Sequence, residues 1–460
     1  MQNSEADHKS NLDSFFNART VAVVGASTNP DKLGHVILAN ILFGGYTGRV
    51  YPINPKEKEI LGSVVLSSID EIPEKLDLVV IVVPAALVPG VLRQAAAKGA
   101  GAAIIISGGF REAGRNDLEK ELLEISVETG IRIIGPNCQG INYIPNKLCA
   151  SWPLITLEGS MAVISQSGTV AATIAGWAEE EGWGISTVVS LGNQIDVNET
   201  DLINALAGDD NIKSIALYLE GAKDGRKFLA ASENLIANKP LIVLKSGRTA
   251  GGQRAAASHT KSLAGRDEIF DAACRQTGVV RANDIESLYD MSKALASLQV
   301  SGGNRLMVIT SSGGSGILAV DNAEKHGISV PTLPEGIVEK LHQAEIPANA
   351  TLANPLDLTV ATALEYRNAL KVLVQEDLAD LYLLIFGDPI PGAAETAAWL
   401  REQIGSRVAV AYLGGGLVEK EERVILHQAG IPVFPTPERA VVALGSIAWL
   451  QKYKNARKSL

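Results

Sequence analysis

VAVVGAS, residues 21–27, runs four apolar residues straight into a glycine turn. Outward from it, short β-branched runs keep returning: RVYPINP (49–55), LDLVVIVVP (76–84), GAAIIIS (101–107) and RIIGPN (132–137). Each is followed by helix-like or loop sequence. Near-continuous apolar strands separated by amphipathic stretches predict a parallel sheet covered by helices on both faces, here a five-strand, doubly wound unit. A stretch rich in Asn, Pro and small residues, Asn142 to Glu158, reads as a loop. The rhythm then restarts with MAVISQSG (161–168), GISTVVSLGN (184–193), IKSIALYLE (212–220) and KPLIVLKSG (239–247). VSGGN at 300–304 reads as a linker. Beyond it RLMVITSSGGSG (305–316), LYLLIFGDP (381–389), RVAVAYLGGG (407–416) and IPVFPTP (431–437) predict a third α/β unit. The expected division is 1–145, 146–300 and 301–460. A chain of 460 residues, at roughly 150 residues per domain, leads to the same count of three.

Composition narrows the function classes. With 46% hydrophobic and 20% charged residues and 44 glycines, the chain fits a soluble α/β protein. A formal net charge of -10 argues against a protein built around nucleic acid, because neutralising a polyanion takes clustered Lys and Arg. Small anions stay open, since a site can be locally positive. Three cysteines, at 138, 149 and 274, give neither a disulfide framework nor metal-type spacing, so no metal site is expected and a reducing cytoplasm is the simplest compartment. The N-terminus lacks the apolar core of a secretory signal, and Leu78 to Leu92, interrupted by Pro84, Pro89 and Gly90, is shorter than the ~20 residues of a membrane span.

The first glycine turn, Gly25-Ala26-Ser27, leads through Lys32 and Gly34 into a helix, which places backbone N–H groups where a phosphate could sit. It is not G-x-G-x-x-G. A nicotinamide enzyme would hold the ribose diol with an acid near the end of the second strand. That strand here ends in Asn54-Pro55-Lys56, with Lys58 nearby. Bases in place of the acid point to a ribose that itself carries phosphate, as in the 3'-phosphate of coenzyme A. The bland alternative is a tight βα turn with solvated lysines. Pro84 and Ser107, at later strand ends, would flank the same crevice, because open sheets bind ligands beyond their carboxyl ends.

In the second unit, RTAGGQRAAASHTKSLAG (248–265) is crowded with small residues and reads as a mobile loop with His259 at its centre. A lone histidine is commonly structural. Glu220, at the end of IALYLE, offers a carboxylate that could accept the Nδ1 proton and leave Nε2 as nucleophile. Ser165-Gln166-Ser167-Gly168 and Gly313-Gly314-Ser315-Gly316 each join a strand to a helix. A helix start carries unpaired N–H donors and about half a positive charge, so two of them could hold a phosphohistidine without a lysine. Either alone could be a glycine-rich turn; their pairing with His259 carries the functional reading.

The strings VAVVGAS, YPINP, ISGGF, GPNCQG, ISQSG, VSLGN, LYLEG, LKSGR and SHTKSLAG together resemble the alpha subunit of ADP-forming acetyl-CoA (acyl-CoA) synthetases, relatives of succinyl-CoA synthetase, over nearly the whole chain. The resemblance implies an α/β fold of three parallel-sheet domains: a Rossmann-like CoA-binding domain and two flavodoxin-like, ligase-type domains. By matching motif, His259 would be the phosphohistidine, Glu220 its orienting carboxylate, and the turns at 165–168 and 313–316 its phosphate cradles. Coenzyme A would be held around Gly25, Ser27, Lys32, Asn54, Pro84, Ser107 and Asn137. The implied reaction is acyl-CoA + ADP + phosphate = acid + ATP + CoA, through an acyl phosphate and the phosphohistidine. No GKS or GKT phosphate loop is present. ADP or ATP and Mg2+ are therefore expected on a separate ATP-grasp beta subunit, in an α2β2 assembly. Lys261 stands where the family pattern has glycine.

Two other classes compete. A catalytically silent acyl-CoA-binding regulator is disfavoured by retention of both His259 and Glu220, and a nicotinamide oxidoreductase by Asn54-Pro55-Lys56. Cys138 as a thiol nucleophile is a fourth reading, weighed against simple packing at an apolar strand end.

Overall fold

The computed structural model describes residues 12–260, 266–299 and 302–458, and their side chains except at 256–260 and 458. It divides into two compact units. One holds the described residues up to Glu179, Gly184–Lys239 and Val243–Thr277; the other holds Glu180–Trp183, Pro240–Ile242 and the chain from Gly278.

The first unit contains two large sheets. One is made of β1 (Thr20–Val24), β2 (Arg49–Ile53), β3 (Leu78–Ile81), β4 (Ala102–Ile105) and β5 (Arg132–Ile134), in the order β2-β1-β3-β4-β5 with every pair parallel. All residues of β1, β3, β4 and β5 are buried, which is why these strands read as unbroken apolar runs and not as alternations.

The second sheet corrects one expectation. Within the stretch 142–158 read as a loop, β6 (Gly140–Tyr143) and β7 (Leu148–Ser151) form an antiparallel hairpin. Its strand β6 pairs antiparallel with β9 (Thr187–Ser190). The sheet then continues through β8 (Met161–Ser165) and β10 (Ser214–Leu219) to β11 (Leu241–Lys245), and β8 is parallel to both its neighbours. Asn142 and Cys149 hide the signal: their side chains face each other and are buried, so polar residues here lie inside the sheet. The sheet is therefore mixed at this edge and not wholly parallel.

A second correction concerns the histidine segment. Instead of a loop, Ala250–Thr260 forms a helix. Arg254 and Ala255, Ala256 and Ala257 are strong helix formers, and Gly251 and Gly252 fall in its first turn, where glycine interrupts least. His259 lies in its last turn. The side chain of His259, and all of Lys261, lie outside the described residues.

The second unit is built on β12 (Leu306–Thr310), β13 (Leu356–Asp357), β14 (Leu381–Phe386), β15 (Val408–Tyr412) and β16 (Val433–Phe434), in the order β13-β12-β14-β15-β16, parallel throughout. Its core carries an ionic knot. Lys293, fully buried, donates to Glu181 at 2.9 Å and to the Val433 carbonyl at 2.7 Å. His427 is fixed as one neutral tautomer: Nδ1–H donates to the Glu181 carbonyl at 2.8 Å, and Nε2 accepts the Val433 N–H at 3.2 Å. Burial, with Lys293 as the nearest positive charge, pushes the His427 pKa down to about 3.

Because the unfolded chain takes up a proton on this ring below its ordinary pKa of about 6.5 and the folded chain does not, His427 makes stability fall as pH drops between about 6.5 and 3, by up to about 1.4 kcal/mol per pH unit. Thermal unfolding followed from pH 7.5 to 4.5 is expected to show a shallower acid decline for His427→Gln than for the wild type. Equal slopes would remove His427 from the acid response.

Candidate functional site

All three sheets share one winding. The first parallel strand of each, β1, β8 or β12, lies between the next two strands in chain order. The connections therefore diverge at that strand, and a crevice opens beyond its carboxyl end, next to the carboxyl end of the third strand. The sequence-derived site residues other than His259 fall at these three points.

At the first crevice Gly25 takes φ +92°, and a Cβ there would meet the Val82 carbonyl oxygen at 2.4 Å. A Cβ on Gly34 would lie 2.0 Å from the Gly25 carbonyl oxygen. These two glycines let the start of the helix Leu33–Phe43 press onto the turn after β1, so its first N–H groups face the crevice. Ser27 is buried; its Oγ accepts from Asn29 N–H at 3.1 Å and its carbonyl accepts from His35 Nδ1 at 2.9 Å. Asn54 Nδ2 donates to the Ala26 carbonyl at 2.7 Å, which ties the end of β2 to the same turn. Ser107 Oγ donates to Val83 O at 2.5 Å, beside Pro84, and Asn137 N–H donates to Ser107 O at 2.9 Å. The structure thus draws Gly25, Ser27, Asn54, Pro84, Ser107 and Asn137 along one sheet edge, with Lys32 exposed at the helix start. Gly34 and Glu57 border the same turn. Glu57, which accepts from Thr28 Oγ1 at 3.1 Å, was passed over between Lys56 and Lys58. The glycine pair Gly25 and Gly34 was the signal for close helix–strand contact.

At the second crevice Ser165, the last residue of β8, donates from Oγ to Ser167 O at 2.6 Å and accepts Ser167 N–H at 3.1 Å. This hydroxyl-clamped turn delivers the chain into the helix Gly168–Glu181, whose opening N–H groups have no partner inside the helix by geometry. The side chain of Gln166 joins the turn to the neighbouring strand end. Its Oε1 accepts the N–H groups of Glu220 at 2.5 Å and Gly221 at 3.2 Å, while Nε2 donates to Gly221 O at 3.0 Å. Glu220 is buried there. The turn 165–168 and Glu220 are therefore brought together. No distance from either to the His259 ring lies within the described residues.

The second unit repeats the motif. Thr310 Oγ1 donates to Ser312 O at 3.0 Å and accepts Ser312 N–H at 2.9 Å, and the helix Gly313–Lys325 follows. Ser311 Oγ takes the N–H of Gly387 at 3.0 Å, as Gln166 takes that of Glu220. Gly387 thus stands at the strand end where the first unit has its carboxylate. Ser315 and Gly316 are buried, while Gly314 is exposed. A Cβ on Gly313 would meet Asp357 Oδ2 at 2.6 Å, so a carboxylate already borders this turn.

The remaining sequence candidate is excluded by its surroundings. Burial pushes the Cys138 thiol up to about 12, and its Sγ sits 3.3 Å from Ile105 O, so it is a protonated packing group at neutral pH. Among the described residues no group of three or more His, Cys, Asp or Glu is arranged to hold a metal, and no helix is long and apolar enough to cross a membrane.

Comparison with known proteins matches two stretches of the chain. Residues 19–144 match a CoA binding domain, and residues 158–295 match a succinyl-CoA ligase like flavodoxin domain. The alpha subunit of ADP-forming acetate–CoA ligase I of Pyrococcus furiosus is 38% identical over 97% of this chain and 99% of its own length. An ADP-forming acetate–CoA ligase I of Archaeoglobus fulgidus is 36% identical over 96% of this chain, which spans 64% of that longer protein. Among solved structures, a dinucleotide forming acetyl-coenzyme A synthetase 1 of Ca. Korarchaeum cryptofilum, in complex with phosphate and ADP, superposes with a TM-score of 0.90 at 35% identity, covering 98% of this chain and 99% of that one.

Gly34→Ala sets a methyl group against the Gly25 carbonyl and forces the helix start away from the turn. The dissociation constant for coenzyme A, measured by calorimetry, is expected to rise ~10-fold or more, about 1.4 kcal/mol, with helix content by circular dichroism unchanged. An unaltered constant would show that this turn holds no part of the ligand.

Proposed function

The chain belongs to the family of ADP-forming acetate–CoA ligase alpha subunits, and from that premise we propose that it converts acyl-CoA, phosphate and ADP into free acid, coenzyme A and ATP by relaying a phosphoryl group on His259. The division of labour follows the limits 1–145 for coenzyme A, 146–300 for the histidine and 301–460 for a second cradle. The observation that carries the reading is the Gln166 bridge, which ties the helix start after Ser165 to the backbone of Glu220 and Gly221 at the neighbouring strand end.

In the first step a phosphate oxygen attacks the thioester carbonyl, the C–S bond breaks, and an acyl phosphate and the thiolate of coenzyme A result. His259 Nε2 then takes the phosphoryl group and the carboxylate leaves. Glu220 accepts a hydrogen bond from Nδ1–H, which keeps Nε2 as the nucleophile and stabilises the positive ring once it is phosphorylated. The helix start at Gly168 stabilises the phosphoryl charge with backbone N–H donors, and the one at Gly313 would serve as a separate cradle of the same kind. The histidine finally gives the group to ADP.

That last step is assigned to a partner subunit of the ATP-grasp type, which would hold ADP and Mg2+, in an α2β2 assembly. The designation of the Pyrococcus relatives as alpha subunits supports a separate chain. A small carboxylic acid is the acyl donor's product, and the working compartment is the cytoplasm.

The test is to incubate the chain, with and without its partner, with acetyl-CoA and labelled phosphate. Acid-labile label on His259 is expected, absent in His259→Ala, whose coenzyme A affinity stays near wild type. For Glu220→Gln the phosphorylation rate should drop at least ~10-fold, about 1.4 kcal/mol of barrier. No label across a panel of acyl-CoAs, with an ADP-competent partner present, would overturn the relay in favour of a silent acyl-CoA-binding regulator.

A further inference from the structure

The segment Leu191–Asn198 follows β9 and lies along the first sheet's outer strand. Its backbone is laced to both crevices of the first unit. Leu191 N–H donates to Ser165 O at 2.8 Å, at the phosphate turn. Two residues later Asn193 N–H donates to Pro136 O at 2.8 Å, next to Asn137. The N–H groups of Ile195 and Val197 then reach Gly135 O at 3.2 Å and Ile133 O at 3.1 Å. Close contact is built in: a Cβ on Gly192 would meet Pro136 O at 2.4 Å.

Side chains lock the same segment from the coenzyme A side. Asn193 Nδ2 donates to Glu112 at 2.7 Å and Glu119 at 2.6 Å, its Oδ1 accepts Asn137 Nδ2 at 3.4 Å, and its carbonyl accepts Arg111 Nη2 at 3.1 Å. Asp196 holds Arg132 through two bonds, 2.9 and 3.0 Å. These contacts fasten the segment to the first sheet.

A side chain reaches it from the Glu220 strand end. Lys223, three residues after Glu220, donates from Nζ to the carbonyl of Gln194, a non-glycine residue held at φ +54°. Gln194 is buried, and the fully buried Glu199 lies in the field of the same ammonium. Burial, then the charge of Arg111, lowers the Lys223 pKa, while Glu199, Asp196 and Glu119 raise it.

We propose that Lys223 is a positioning residue: by holding Gln194 it fixes the 191–198 segment between the two crevices, so that an acyl phosphate formed at the coenzyme A crevice arises within reach of the Ser165–Gly168 turn and Glu220. The inference rests on the proposed relay, and it assigns Lys223 to the acyl side of that relay only. Loading of His259 from ATP occurs on the partner and does not use this alignment.

Lys223→Met and Lys223→Arg in the assembled complex test it through the two half-reactions. Labelled phosphate with acetyl-CoA reports the acyl side; γ-labelled ATP reports the nucleotide side. For Lys223→Met the expected result is a ~10-fold or greater loss in the acyl-CoA-driven labelling rate, with ATP-driven labelling and coenzyme A affinity within about twofold of wild type. Lys223→Arg, which retains a donor and a charge, recovers most of the lost rate. Equal loss from both sides, or wild-type rates from both, overturns the assignment. If wild-type complex takes label from neither side, the relay itself fails and this role fails with it.

Discussion

A parallel sheet that changes winding direction cannot cover every strand end with a crossover. The connections leaving its first strand and its third strand part company, and the polar groups at those two ends face a crevice. This chain meets that constraint three times, at β1, β8 and β12, and each time a glycine- or serine-rich turn supplies the backbone donors. Long apolar strands can be buried on both faces because helices cover them, and the only places left for chemistry are the carboxyl edges. The proposed coenzyme A contacts and both proposed phosphate turns therefore follow from topology before any particular side chain is considered.

What distinguishes the two phosphate turns is the partner strand end. Both are clamped by a hydroxyl from the last strand residue, Ser165 or Thr310, and both are stitched to the third strand by the next side chain, Gln166 or Ser311. Beyond the stitch the first unit has Glu220 and the second has Gly387. A carboxylate suits the proposed role of orienting a histidine, and would repel a phosphate if it faced one directly. Asp357 borders Gly313, so in the proposed second cradle the donors would be those beyond that glycine.

Much of this was legible in the sequence because it rests on period and punctuation. Continuous β-branched runs ending in small residues located the core strands, and the turns at 25, 165 and 313 were placed where strands give way to helices. The exceptions have definite causes. The hairpin of β6 and β7 buries Asn142 against Cys149, so polar residues that normally mark a loop sit inside a sheet. The Ala250–Thr260 helix is made of residues too small to show an apolar stripe, and only its alanines and Arg254 argue for helix. Bridges made by single side chains, such as Gln166 to Glu220 or Lys223 to Gln194, join residues far apart in the chain and leave no local trace.

The back-to-back approach of Gly25 and Gly34 has an evolutionary consequence. The floor of the first crevice is made of backbone that tolerates no side chain, so it can neither acquire nor lose a specificity group by point substitution. Its lip is different: Lys32 and Pro84 are exposed and can vary in size and charge. In the proposed role as a thioester site, divergence should therefore accumulate at the rim, while the turn beneath stays the same.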